Sequence, residues 1–324
     1  MRKFALACAM GALVLQPTMA MAGTKDFAVQ GYALPKDKPV TIVLMRPDVQ
    51  VGELQAGGLP QPNADWTNAA REQIEKALKA ELAGRQIAFS NMEEALAALK
   101  AKEAACAAER ARIAAAQAAQ QAAAQAAAQQ PVPPSGSDTA AQDRKDLVVI
   151  APVLDPACAL IKPGSVEAEA LVADYRGLHG AVVDAILAHK YNYGGGKLPT
   201  QKTEFSYTLG PGTGQLGTVA GANYGIFVMT IDQFASGGRK AMQVMGALGC
   251  LIGACMIVGG GIHVAYVSLV ELETGNVVWF NVLRGSQGDV REEQGARDMV
   301  KAILATMPSR PGEMMAVPAA KKAK

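Results

Sequence analysis

The sequence predicts an α/β protein: a mixed sheet ending in a β-hairpin, helices packed on it in two or three layers, a C-terminal helix, and one long Ala/Gln-rich helical insertion. Three observations predict it. Compact, largely β-branched runs at 40–44 (VTIVL) and 224–231 (YGIFVMTI) have the length and composition of buried strands. Long stretches between them carry apolar residues every three or four positions, the period of a helix with one face buried. Two β-rich runs, 264–272 and 277–283, meet across Glu273-Thr274-Gly275-Asn276, and a short glycine-containing turn between such runs signals a hairpin.

Taken in order, the chain opens with a basic pair, Arg2 and Lys3, an apolar run at 4–15 and a small-x-small step, Ala20-Met21-Ala22. This is the pattern of a secretory leader over 1–22, with cleavage before Gly23. Lipidation at Cys8 is the weaker reading, because only a few apolar residues precede it. The first β-α part of the domain spans 23–92. It holds the strand at 40–44, extended by Met45 and bounded by Pro39 and Pro47, then a helix over 64–82. Trp66, Ala70, Ile74, Ala77, Leu78 and Leu82 form the apolar stripe of that helix, and Gly84 is expected to end it. A short strand is expected at 87–89.

Ser90-Asn91-Met92-Glu93 has the form of a capping box, opening a helix that runs until Pro131. The insertion occupies 93–145. Its second half is almost wholly Ala and Gln, which favours helix but offers little apolar area per residue. That half is expected to project into solvent or to line another helix. A linker at 131–143 follows.

The main part of the domain, 146–310, begins with an extended run at 147–154 whose Pro152 demotes it to an edge strand. Ser165 is a candidate N-cap for a long helix with Leu171, Tyr175, Leu178, Val182 and Ile186 among its apolar positions, ended by Gly194-Gly195-Gly196. After the strand at 224–231 and the hairpin, a last helix is expected over 289–307, stopped by Pro308. A disordered tail is expected over 311–324.

Composition narrows the function classes. Cleavage removes two basic residues and leaves 29 Lys+Arg against 29 Asp+Glu, so no broad basic field is available for nucleic acid. Four cysteines remain: Cys106, Cys158, Cys250 and Cys255. Three complete pairings are open to them; Cys250 and Cys255 are close enough to form a short loop, and free buried thiols are equally ordinary in so apolar a run. No C-x-x-C and no paired histidines suggest zinc. His179 and His189 lie ten residues apart on one helix, about 15 Å, too far to share an ion. Asp174 and Asp184 read as a solvated helix face. No cofactor and no catalytic residue are expected.

One motif invites a cofactor. Gly212, Gly214 and Gly217 stand in a literal G-x-G-x-x-G, preceded by a candidate short strand at 205–209 and followed by Asp232. The dinucleotide motif needs a helix long enough to cross back to a parallel strand. Only residues 218–223 separate Gly217 from the strand at Tyr224, so the motif is rejected as a dinucleotide site and read as a glycine-rich loop.

The unusual segment is 244–262 (VMGALGCLIGACMIVGGGI), which carries no charge over about the roughly 20 residues that span a bilayer. Three readings stand: a membrane-spanning helix, a membrane-touching or self-associating apolar helix, and a buried helix between strands. Its interface candidates are Val244, Leu248, Leu251, Ile252, Met256 and Ile257.

The C-terminal half resembles the TolB amino-terminal, CsgG and LpoB-like group of bacterial envelope proteins. The residues that carry the resemblance are Gly221, Ala222 and Tyr224, a small-residue step into a central strand, and Glu271, Thr274, Gly275 and Trp279, a turn into an aromatic-containing strand. It covers about 166–307. It implies an α/β sandwich in the Gram-negative envelope, periplasmic or on the periplasmic face of the outer membrane. Such a protein acts by binding protein partners or by self-association, with membrane contact an added option. The expectation is thus a non-enzymatic, exported accessory factor. An envelope hydrolase or nucleotide-binding enzyme and a membrane-inserted oligomer are the alternatives.

Overall fold

The computed structural model describes residues 23–129, 154–159, 161, 163–192, 204–251 and 259–309. The leader at 1–22, the linker at 131–143, the edge strand at 147–154 but for its last residue, the Gly194–Gly196 stop and the tail lie outside the described residues. The strands are β1 (Gly23–Ala28), β2 (Thr41–Leu44), β3 (Asp48–Leu54), β4 (Pro60–Pro62), β5 (Ala88–Asn91), β6 (Tyr207–Thr208), β7 (Tyr224–Ala235), β8 (Ile262–Glu271) and β9 (Asn276–Arg284). The helices are α1 (Ala64–Gly84), α2 (Met92–Ala128), α3 (Pro156–Ala159), α4 (Ser165–Lys190), α5 (Gly214–Ala220), α6 (Gly237–Leu251) and α7 (Glu293–Ile303).

All nine described strands join one mixed sheet, whose main path runs β1-β9-β8-β7-β2-β5, with β3 paired to β7 and β4, and β6 to β9. β7 is its axis. Its apolar run pairs antiparallel with β8 from Tyr224 to Gln233. On its other flank two strands share the ladder: Ile42–Leu44 of β2 lie parallel to Tyr224–Ile226, and the whole of β3 lies parallel to Met229–Ala235. Between them Met45, Arg46 and Pro47 step out of register, at a proline that has no N–H to give a ladder.

Side-chain alternation divides the core in two. Ile42, Leu44, Tyr224, Ile226, Val267, Leu269 and Trp279 face α1 and α7, while Val43, Met45, Phe227, Val270, Val277 and Phe280 face α2, α4 and α5. The result is an α/β/α sandwich with one apolar cluster on each side of the sheet, to which the central strands β2, β7, β8 and β9 contribute residues on both faces.

α1 buries the expected stripe, Ala70, Ile74, Ala77, Leu78 and Leu82. Its end differs from expectation. Gly84 is still helical, and the left-handed residue is Gln86, φ 55°. Ile87 N donates to Leu82 O (3.1 Å) and Gln86 N to Ala83 O (3.0 Å), the paired bonds of a Schellman ending built on a non-glycine residue. The cap of α2 is also one residue later than the capping box suggested. Asn91 Oδ1 accepts from Glu93 N and Glu94 N, while Ser90 Oγ is occupied by Ala220 O at the end of α5 (3.0 Å).

α2 is about 55 Å long at 1.5 Å per residue. From Ala114 to Ala126 every residue but Ala116 is exposed, so the Ala/Gln half projects from the fold. A disulfide joins Cys106, midway along α2, to Cys158 in α3, and Arg110 donates to Cys158 O (2.7 Å). Of the three complete pairings open in the sequence, this bridge belongs to the one that would join Cys250 to Cys255. Gly164, not Ser165, is the N-cap of α4. Ser165 is its first helical residue, and both its N–H and its hydroxyl donate to Glu103 of α2. These bonds hold the Glu103 carboxyl below its usual range. α4 ends at Tyr191 and the left-handed Asn192, before the three glycines.

At the C-terminus, 289–292 form a turn and the helix starts only at Glu293. Asp289 O accepts from Glu292 N (3.0 Å), and Asp289 Oδ1 from Arg291 N (2.9 Å). Only two residues of the 205–209 run are strand, and they pair with β9, beyond the end of β1.

Candidate functional site

The excursion from β7 to β8 leaves and re-enters the sheet at one end, and its frame is built from side chains far apart in sequence. Ser236 caps α6: its Oγ accepts from Arg239 N (3.1 Å) and its carbonyl from Lys240 N (2.9 Å). Arg239 ties the outgoing helix to the returning chain through Gly259 O (2.8 Å) and to the β3–β4 turn through Gln55 O (3.3 Å). α6 begins seven residues before the apolar segment and includes the basic pair Arg239 and Lys240 in its first turn.

On α6 Val244 is 60% and Met245 69% exposed, and Ile262, where β8 begins, is 44% exposed. The buried-helix reading therefore fails for these positions: large apolar side chains face solvent where the segment begins and ends. Leu248, Cys250 and Leu251 lie on α6, but their side chains are outside the described residues, as are Ile252, Cys255, Met256 and Ile257 altogether. Among the described residues no helix is long and apolar enough to cross a membrane.

Beneath this excursion lies a polar cluster on the α1/α7 face. Asp232, on β7 and 4% exposed, sits opposite His263 of β8 in the ladder, and its Oδ1 bonds His263 Nδ1. Beside them Arg291 forms a two-bond pair with Asp289, whose carboxyl is held below its usual range by those bonds. The guanidinium carbon of Arg291 lies 4.2 Å from the ring centre of Trp66 and 4.3 Å from that of Phe234. A cation held between two aromatic faces gains about 1–2 kcal/mol when partly desolvated. Trp66 comes from the first turn of α1, and Asn63, the α1 N-cap, accepts from Trp66 N (2.9 Å). The cluster thus locks the β7–β8 end of the sheet to α1 and to the β9–α7 turn. Asp232 is bonded to His263 and Asp289 to Arg291, and among the described residues no hydroxyl or thiol is bonded to His263. As built, it is a clasp that holds the excursion in place. In the sequence Asp232 stands out only as a candidate ribose partner, and Arg291 and His263 carry no signal, because the pairing joins four segments.

The glycine loop has packing reasons for its composition. A side chain at Gly212 would collide with the Tyr175 hydroxyl, and one at Gly217 with Ala222 O, while Gly214 lies near Leu272 O (3.7 Å). α5 has seven residues, and β6, the strand before it, pairs antiparallel with β9 and not beside β7. No βαβ crossover is formed. The hairpin turn is as expected. Thr274 Oγ1 donates to Glu271 Oε2 (2.7 Å) and accepts from Asn276 N (3.2 Å). Gly275, at φ 77°, packs so closely on Gly210 O that no side chain fits.

The two remaining histidines have separate structural surroundings. His189 Nδ1 lies 3.2 Å from Tyr207 Oη. His179 is buried, stacked on Phe227 at 4.4 Å, with Nε2 2.7 Å from Ser268 Oγ. Among the described residues no group of three metal-ligating side chains converges. The chain matches no known protein-family model, and neither a curated protein nor a solved structure is significantly similar to it.

Proposed function

We propose that this chain is an exported accessory protein of the bacterial envelope that acts by binding, with α6 and the apolar segment it leads into as its contact surface. The observation that carries the reading is the exposure of Val244 and Met245 at the start of a charge-free run. Solvent-facing large apolar side chains on a helix that begins with Arg239 and Lys240 suit a protein partner, a second copy, or the headgroup region of a membrane.

Three features support export. The leader pattern of a basic pair, an apolar run and a small-x-small step ends at Ala22. The Cys106–Cys158 bridge belongs in an oxidising compartment. The resemblance to the TolB amino-terminal, CsgG and LpoB-like group supplies the envelope and the binding role. Of the residues that carry it, Gly221 is the left-handed cap of α5 leading into β7, and Thr274 and Gly275 shape the turn into the Trp279 strand.

The test is fractionation of cells expressing the full chain, with alkaline carbonate extraction of membranes and an intact mass for the mature protein. A mature chain starting at Gly23 is expected, together with cross-linking from a photoreactive residue at position 245 to a discrete envelope partner or to a second copy. A chain that keeps its leader in the cytosol would overturn export. Absence of any discrete adduct from position 245 in intact cells would overturn the assigned surface. Retention in carbonate-washed membranes without a lipid mass on Cys8 would instead favour the membrane-inserted form.

A further inference from the structure

A second site lies on the opposite face of the sheet from the clasp and is independent of the binding role proposed for α6. Where β2 steps out of register and β3 begins, a cleft of about 30 Å³ opens against α4, lined by Arg46, Asp48, Arg176, His179, Gly180 and Phe227 with the adjoining β7 chain. A water-sized group needs about 10–15 Å³ measured this way, so the cleft has room for two or three such groups.

Its chemistry is cationic and incompletely matched. Arg46 pairs with Glu93 at 3.3 Å, and Arg71, just behind it, bonds only Asn68 Oδ1 (2.9 Å) and Pro47 O (3.4 Å). No ion pair or hydrogen bond is made by Arg176 among the described residues. The Arg71 guanidinium is pushed down from its ordinary value, first by burial and then by Arg46, with Arg176 adding to the effect and Asp48 and Glu93 opposing it. Like charges gathered with too few counter-charges are unfavourable in the empty protein and favourable once an anion arrives.

Two further observations point the same way. Burial keeps the His179 ring neutral at physiological pH, its Nε2 is taken by Ser268, and Nδ1 has no hydrogen bond among the described residues. In the tautomer where the Ser268 hydroxyl donates to Nε2, Nδ1–H is a spare donor. Gly180 lies in the interior of α4, where glycine is unfavourable, yet a Cβ there would meet nothing within 4 Å. Packing does not require this glycine, and a side chain there would stand in open space at the cleft wall.

We propose that the cleft binds the carboxylate of an acidic ligand, held by Arg176 and Arg46 at the mouth and by His179 Nδ1–H inside. Asp48 shares the lining and repels an anion, and Glu93 already holds part of Arg46. The surplus therefore suits one monoanionic carboxylate and not a phosphate dianion with its four oxygens. A free small acid and an acidic polypeptide side chain present the same group.

The test is NMR of the His179 ring in the full chain at constant ionic strength, titrated with sodium acetate, with the blocked pentapeptide Ac-Ala-Ala-Glu-Ala-Ala-NH2 and with inorganic phosphate. Acetate, the peptide or both are expected to shift the ring saturably, with phosphate weaker. Tighter saturation by the peptide assigns a polypeptide acid, and equal or tighter saturation by acetate a free small acid. Arg176→Ala should weaken binding about tenfold, the usual scale for loss of one charge-assisted contact. Gly180→Leu should abolish it by filling the cleft. Gly180→Ala, a smaller change that favours the helix, controls for folding and should keep the melting temperature at or above that of the unaltered chain. No saturable shift with acetate or peptide would overturn the proposal, as would phosphate binding more tightly than either. A response equally strong in folded Arg176→Ala and Gly180→Leu would overturn it too.

Discussion

His179 should make the stability of this fold fall steeply between pH 6.5 and 4. The ring is 6% exposed, packed on Phe227 and bonded to Ser268, and burial lowers its pKa from 6.5 to about 4. The unfolded chain therefore takes up this proton at a higher pH than the folded one. The contribution is whole above pH 6.5 and is lost as the pH falls toward 4. At about 1.4 kcal/mol per pH unit the loss amounts to roughly 3 kcal/mol, a large share of the 5–15 kcal/mol typical of a domain. The assay is urea unfolding followed by circular dichroism in steps from pH 7 to 4, on the unaltered chain and on His179→Gln. The amide can still bond Ser268 but does not titrate. The difference between the two unfolding free energies should change by roughly 3 kcal/mol across that range, while carboxylates and the other histidines cancel. Parallel profiles, or a His179 ring titrating near 6.5 by NMR, would refute the argument.

Three other outcomes follow from the structure. Replacing both Cys106 and Cys158 by Ala opens a 52-residue loop and should cost up to about 4 kcal/mol on the chain-entropy account, read by urea unfolding with and without reductant. Gln86→Gly should stabilise by roughly 1 kcal/mol, because Gln86 occupies the left-handed position without the freedom of glycine; a raised melting temperature checks it. Arg291→Ala should destabilise by roughly 1–3 kcal/mol, with Arg291→Lys recovering only part, since an ammonium cannot make the two-bond pair with Asp289 while lying flat between Trp66 and Phe234. Thermal unfolding of the two variants distinguishes the cases.

What could be read in the sequence was what local pattern carries. The α1 stripe repeats apolar residues at the helical period, while β7 and the β8–β9 hairpin are apolar, β-rich runs of strand length, the hairpin pair joined by a glycine-containing turn. β1 and β4 gave no such signal, because their residues are almost all exposed and owe their strand geometry to a neighbour. β3 is hidden in the sequence because Pro47 reads as an end, whereas the chain only steps aside there and rejoins β7. The helix boundaries slipped by a residue or so where two adjacent side chains were both able to cap: Asn91 took the α2 cap because Ser90 was bonded to α5. The apolar run at 244–262 announced an unusual surface, but periodicity could not say that Val244 and Met245 face outward. The clasp of Asp232, His263, Asp289 and Arg291 and the arginine-lined cleft were invisible, since each exists only once the sheet brings distant segments together.

The Cys106–Cys158 bond closes residues 106–158, most of the insertion among them, into a ring of chain. A protease that cuts once between these residues leaves two fragments that still migrate as one molecule until a thiol reagent is added. One fragment carries β1 to β5 and the other β6 to β9, so the nicked protein is a two-chain sheet covalently pinned outside its own hydrogen-bond ladder. Sequence inserted inside the ring lengthens the ring and leaves the pin where it is. The projecting arm is thus the place where this protein tolerates being cut, lengthened or tagged.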